Sequence, residues 1–207
     1  PYHALRLGIA QRRLAEQVRK SARGAVVLEL GSSGLPLPRL LDGFLVVRSD
    51  IERAALATGS PAICLDAAAH LPIATGSVHG ILMGELIEHI YGTRRLLAEC
   101  HRVLRPAGTL VLTTPNLAGL QDRVAFLAGR SPRQVDPLHP YLSAHIRPFT
   151  ARRLVEVLDA CGFATRRIES NYVVWRLGAR REVRSRTLAR IAPGLGGSLI
   201  CTAVRKP

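Results

Sequence analysis

At 207 residues, 47% hydrophobic and 21% charged, the chain holds one domain with a full core and is neither disordered, collagen-like nor a coiled coil. No apolar run approaches the roughly 20 residues that span a bilayer, and no charged-then-apolar leader pattern is visible, so a cytosolic protein is expected. Twenty-nine Lys and Arg against 15 Asp and Glu give a charge of +14, all but Lys20 and Lys206 of it arginine, which favours phosphates, nucleic acid or anionic lipid as partners without naming a reaction.

The elements alternate along the chain. Residues 9–23 read as a basic helix with Ile9, Leu14 and Val18 on one side, and Gly24 ends it. Apolar runs then mark strands at 25–30, 44–47, 62–65, 78–83 and 109–114. Helices are expected between them at 36–41, 51–57, 85–91 and 93–104. A further helix spans 150–161, with Thr150 as N-cap and Gly162 at its stop, and two last strands fall at 164–169 and 199–204. Strands alternating with helices imply a Rossmann-like, doubly wound α/β sheet, covered on both faces and mostly parallel, with an antiparallel final strand expected. One domain over 1–207 is expected, with an N-terminal basic helix (1–23) and insertions at 117–149 and 176–197. Cys64, Cys100, Cys161 and Cys201 stand singly and read as reduced core thiols rather than a disulfide or zinc frame.

Candidate functional residues fall at the strand ends. The first strand runs into Glu29-Leu30-Gly31-Ser32-Ser33-Gly34, a glycine-bearing turn that lets backbone approach a ligand. The second ends at Asp50, 19 positions after Gly31, where such folds place a carboxylate against ribose hydroxyls. The third ends at Asp66-Ala67, suited to an adenine amino group. Each acid alone is compatible with a plain surface role, but three at successive strand ends are harder to dismiss in a chain with 15 acids.

Taken in order, VVLELGSSG (26–34), VVRSD (46–50), LDAAAHLPIATGSVHGILMGELIEHI (65–90), LLAECHRVLRPAGTLVLTTPN (96–116) and FTARRLVEVLDACGF (149–163) resemble the class I S-adenosylmethionine-dependent methyltransferases. The closest branch is the type 11 group that includes quinone-biosynthesis and cell-envelope-associated enzymes. The resemblance implies S-adenosylmethionine as cofactor and methyl transfer to a small-molecule or lipid-linked acceptor. It also implies that Glu29, Gly31 and Ser33 line the amino-acid end of the cofactor, Asp50 its ribose, and Asp66 and Ala67 its adenine. Gly84-Glu85 would border the sulfonium, while His101-Arg102-Val103-Leu104 would serve packing. Ser33, Leu35 and Ala107 stand where the family commonly has glycine. Two rival readings are a non-catalytic binding protein of the same fold and an NAD-type oxidoreductase, the latter lacking the full G-x-G-x-x-G spacing.

Glu85, Glu88 and His89 form an E-x-x-E-H triplet that holds a metal in some similar quinone O-methyltransferases. Helix-dipole stabilisation by the acids and an imidazole hydrogen bond in the core form the plainer reading, under which no metal is expected. The segment 117–149 corresponds to the family's substrate cover and carries His139, Tyr141 and His145 as candidates for a general base or an anion grip. Arg176, Arg180, Arg181, Arg184, Arg186 and Arg190, opposed only by Glu182, suggest a basic amphipathic helix on an anionic membrane at the inner face. Nucleic acid is the weaker partner, because aromatic residues make up only 4% of the chain.

Overall fold

The computed structural model describes residues 2–20, 24–34, 41, 43–56, 61–140, 142–177 and 181–207. Its strands are β1 (Val26–Leu30), β2 (Leu45–Asp50), β3 (Ala62–Cys64), β4 (Val78–Gly84), β5 (Leu104–Pro115), β6 (Phe163–Glu169), β7 (Val173–Leu177), β8 (Arg181–Ser185) and β9 (Ser198–Arg205). Its α-helices are α1 (Tyr2–Arg19), α2 (Thr93–Val103), α3 (Leu120–Leu127), α4 (Ala151–Ala160) and α5 (Arg186–Ile191). Seven strands form one sheet in the order β3-β2-β1-β4-β5-β9-β6. The pairs β2–β3, β1–β2, β1–β4 and β4–β5 are parallel, and β9 runs antiparallel to both β5 and β6. The expected mostly parallel sheet with an antiparallel final strand is therefore the one found.

The strands read as near-continuous apolar runs because both faces are covered. On one face Val27, Val46, Leu82, Val111 and Ile200 pack with Ala10, Leu14 and Val18 of α1. On the other, Leu28, Ile81, Met83, Leu110 and Leu112 pack with Leu96, Leu97 and Cys100 of α2 and with Leu154 and Leu158 of α4. Contact with α1 is close at Gly80, where an added Cβ would lie 2.8 Å from both Leu14 Cδ1 and Val18 Cγ2. The order reverses around β1, so the carboxyl ends of β1 and β4 flank the crevice where open α/β sheets take ligands.

Several expectations are corrected. The N-terminal helix begins at Tyr2 rather than residue 9, since Leu7 continues the stripe of Ala10 and Leu14 packed on the sheet, and residues 21–23 lie outside the described ones. The expected helix at 51–57 is a 3-10 turn, Arg53–Ala55. Its Ala55 carbonyl is taken by Gly34 N–H (2.9 Å) and the Ser32 hydroxyl (3.1 Å). At 85–91 the helix shrinks to a 3-10 turn, Ile87–His89, because the Glu88 carbonyl accepts from Arg147 N–H (2.9 Å) instead of continuing a helical ladder. The expected helix at 36–41 lies outside the described residues apart from Leu41.

In place of one long amphipathic helix at 176–190, β7 and β8 form an antiparallel hairpin that pairs Trp175 with Val183. The short α5 follows, capped by the Ser185 hydroxyl on Leu188 N–H at 3.1 Å. β-Branched and aromatic residues at Val173, Val174, Trp175 and Val183 favour the pleated form. Cys100 and Cys201 are buried, as core thiols should be, whereas Cys64 is exposed. Among the described residues, no helix is long and apolar enough to cross a membrane.

Candidate functional site

The turn after β1 is folded onto the tip of β2. Gly31 has φ +75°, and the N–H groups of Gly31 and Ser32 both donate to Ser49 O at 3.0 Å. Asp50 accepts from Ser33 N–H on Oδ2 (2.8 Å) and from Glu52 N–H on Oδ1 (3.0 Å). Each oxygen keeps a second lone pair for a ligand hydroxyl. Ser33 adopts φ +49°, so the chain keeps the left-handed backbone that a glycine would favour there. Ala107 does the same at φ +60°. Leu35 lies outside the described residues.

Glu29 sits beneath this turn. It stands directly opposite Arg48 in the β1–β2 register and accepts from Arg48 Nε at 2.6 Å. Arg48 is fully buried at 0% exposure and also donates from Nη2 to Ser32 O at 3.4 Å. Burial pushes the Glu29 carboxyl above its ordinary range, and the arginine beside it opposes that rise. The pair thus ties the turn to the sheet, and Arg48 is a residue sequence reasoning missed. A charge inside an otherwise apolar strand was the available signal, since a buried guanidinium requires a partner.

Asp66, exposed at the end of the β3 segment, accepts from Ala68 N–H at 2.8 Å, while Ala67 is buried. The loop bearing them is pinned by α2. Arg102 donates to the carbonyls of Leu71 (2.9 Å) and Ile73 (2.8 Å) and pairs with Glu99 at 2.8 Å. Glu99 accepts from Leu71 N–H at 2.8 Å, and its carboxyl is held down to about 2, chiefly by Arg102. The packing role expected of the 101–104 stretch is thus, at Arg102, the fixing of the loop that follows Asp66 and Ala67.

At the tip of β4, Glu85 takes φ +49° and turns its carboxylate toward α1 and β5. Oε2 pairs with Arg6 Nη1 at 2.8 Å, and Oε1 accepts from the Thr113 hydroxyl at 3.1 Å. Burial raises the Glu85 carboxyl against the pull of Arg6 and Thr113. Its neighbour Glu88 is pushed up to about 8, by burial first and by the Glu85 charge second. Arg6 escaped sequence reasoning because its partner lies at the far end of the first α/β half.

The structure gathers Glu88 and His89 with His145 rather than with Glu85: one ligand-type atom from each of the three lies within 4.8 Å of the others. His139 accepts from Leu142 N–H on Nδ1 at 3.2 Å, and Tyr141 lies outside the described residues. The segment that brings in His145 is α3 followed by 3-10 turns at Arg133–Val135 and Leu142–Ala144. Beside it a groove of about 520 Å³ is lined by Arg94, Arg95, Arg147 and Arg153, with the Arg147 guanidinium 4.2 Å from the Tyr91 ring centre.

A reversed-order parallel sheet with a glycine turn at β1 and acids at the next strand tips defines a Rossmann-like α/β domain. Residues 28–112 match the family model described as a methyltransferase domain. A Mycolicibacterium smegmatis protein named "Probable S-adenosylmethionine-dependent methyltransferase" is 36% identical over 95 residues, covering 46% of this chain and 32% of its own. A Mycobacterium tuberculosis relative of the same description is 35% identical over 95 residues, 46% of this chain and 30% of its own. The match therefore spans about a third of those relatives' length.

Among solved structures, an Archaeoglobus fulgidus SAM-dependent methyltransferase superposes with TM-score 0.65 at 17% identity, covering 96% of this chain and 94% of its own. The Burkholderia thailandensis 1,6-didemethyltoxoflavin-N1-methyltransferase, solved with its substrate and S-adenosylhomocysteine, gives 0.63 at 21%, covering 98% and 79%. The chain shares its fold with these two proteins.

Proposed function

We propose that the protein is an S-adenosylmethionine-dependent methyltransferase. The observation that carries this reading is the convergence of the Gly31 turn, Asp50, Asp66-Ala67 and Gly84-Glu85 on the carboxyl ends of four adjacent parallel strands, within the family-matched segment. The residues present fit the cofactor. Asp50 retains acceptor capacity for two ribose hydroxyls. Asp66 is an exposed acceptor beside a buried Ala67, as an adenine edge requires. The Gly31 turn presents backbone to the amino-acid end.

The cofactor supplies an already activated methyl electrophile, so the protein's work is alignment of the acceptor and exclusion of water. Arg6 and Thr113 hold the Glu85 carboxylate at the β4 tip, where it borders the reacting region. The groove of four arginines beside the 131–147 loop suits an acceptor with an anionic group, either a small molecule or a lipid-linked phosphate. Arg184, Arg186 and Arg190, with exposed Val183, Leu188 and Ile191 on the hairpin and α5, would serve a peripheral contact with an anionic membrane at the inner face.

Calorimetry with S-adenosylhomocysteine and with NADH tests the reading. Binding of the first alone is expected, and Asp50→Ala should weaken it by about 1.5–3 kcal/mol, roughly 10- to 150-fold. Binding of NADH alone would make the protein an oxidoreductase. Binding of neither to a folded preparation would leave a non-catalytic member of the fold.

A further inference from the structure

We infer that Glu88, His89 and His145 form a binding site for a divalent transition-metal ion that fastens the loop after α3 to the turn after β4. Three observations converge on it. Glu88 is 1% exposed, and its Oε1 is buried with no hydrogen-bond partner among the described residues, while Oε2 accepts from the Thr114 hydroxyl at 3.0 Å. An orphaned buried carboxylate oxygen is costly unless a cation or proton satisfies it.

Both imidazoles are oriented by backbone carbonyls. His89 Nδ1 lies 2.9 Å from Ala144 O, and His145 Nδ1 lies 3.1 Å from Gln134 O. A carbonyl only accepts, so each Nδ1 carries the proton and each Nε2 keeps a lone pair, the arrangement in which metal-binding histidines are held by their outer shell. The two rings meet edge to face with centres 5.0 Å apart, and His89 Nε2 is 3.9 Å from Glu88 Oε1.

Two imidazoles and one carboxylate suit zinc and its first-row neighbours, and leave a coordination position open to water or an anionic oxygen. A tetrahedral ion with bonds near 2.1 Å spaces its ligands about 3.4 Å apart, so modest side-chain rotation closes the cluster from its present 4.8 Å limit. Glu85 stays outside because Arg6 and Thr113 already hold its oxygens. The ligand set thus differs from an E-x-x-E-H triplet: its third member comes 56 residues later, from a loop that already reaches the turn through Arg147 N–H on Glu88 O (2.9 Å).

The site stands on its own residues and not on the methyl-transfer reading, so its test needs no cofactor. Metal-free protein is titrated with Zn²⁺ by calorimetry, and with Co²⁺ by visible absorption, whose intensity reports coordination number. One ion per chain is expected, with a rise in melting temperature and protection of residues 131–147 from proteolysis. His145→Ala and His89→Ala should each weaken binding at least tenfold, whereas Glu85→Gln should retain it, with unchanged circular dichroism as the check on folding. Failure to bind Zn²⁺ or Co²⁺ at micromolar concentration would overturn the inference and leave Glu88 satisfied by a proton. Binding that survives His145→Ala but not Glu85→Gln would overturn the ligand set.

Discussion

Replacing Arg48 by Met measures how much the crevice depends on a charge hidden beneath it. Arg48 is wholly buried and donates to Glu29 at 2.6 Å, so the substitution keeps an apolar stem in place and strips the carboxylate of its counter-charge. Breaking a buried pair from one side costs about 3–5 kcal/mol. Glu29 has one escape, which is to bind a proton; taking a carboxyl of ordinary pKa near 4.3 to its protonated form at pH 7 costs about 3.7 kcal/mol. The two routes agree on a loss of about 3–4 kcal/mol, a large share of the 5–15 kcal/mol typical of a domain.

The pH dependence identifies the cause. In the variant Glu29 titrates higher in the folded than in the unfolded state, so the folded protein binds the extra proton and stability must fall as pH rises. Urea unfolding at pH 5 and pH 7 should therefore show the deficit relative to wild type growing between the two, by at most about 2.5 kcal/mol (about 1.36 kcal/mol per pH unit), because burial already raises the wild-type carboxyl part of the way. Adding Glu29→Gln should recover most of the loss at pH 7 and abolish the slope. A deficit below about 1 kcal/mol, or one equal at both pH values, would refute the account.

Other consequences concern the frame around the site. Glu99 is held down to about 2 by Arg102, so its contribution is complete above the unfolded value near 4.3 and disappears as pH falls toward 2. Glu99→Gln should therefore cost about 1–2 kcal/mol at pH 7, allowing for solvent screening, and nothing at pH 2 when both are unfolded with urea. Ala107→Gly should stabilise by roughly 0.5–1 kcal/mol, since relief of a left-handed alanine exceeds the added entropy of the unfolded chain; an unchanged or lower melting temperature would contradict this. Gly80→Ala forces a methyl to 2.8 Å from Leu14 and Val18, and a loss of about 1–3 kcal/mol by thermal unfolding is expected as α1 is pushed from the sheet.

What could be read from the chain follows burial and locality. β1, β2, β4, β5 and β9 were legible because strands covered on both faces leave continuous apolar runs, and α4 was legible because Thr150 and Gly162 punctuate it locally. The short turns at 53–55 and 87–89 were overread as helices. Their apolar spacing is helical, but the carbonyls a helix would use are claimed by segments 21 and 59 positions away, at Gly34 and Arg147. The Arg-rich segment was misread for a related reason: counting charges ignored the alternating Val and Trp residues that pair across the hairpin.

The acids at the strand tips were legible as a group, but their inequality was not. Glu29 and Glu85 each carry an arginine, supplied by β2 and by α1, whereas Asp50 and Asp66 accept only from backbone N–H groups among the described residues. The first pair is therefore neutralised inside the fold and shapes the crevice, and the second keeps spare acceptor capacity. That division depends on sheet register and on a helix crossing from the N-terminus. It also predicts where substitutions separate: changes at Asp50 or Asp66 should weaken ligand binding with little effect on stability, and changes at Glu29 or Arg48 should do the reverse.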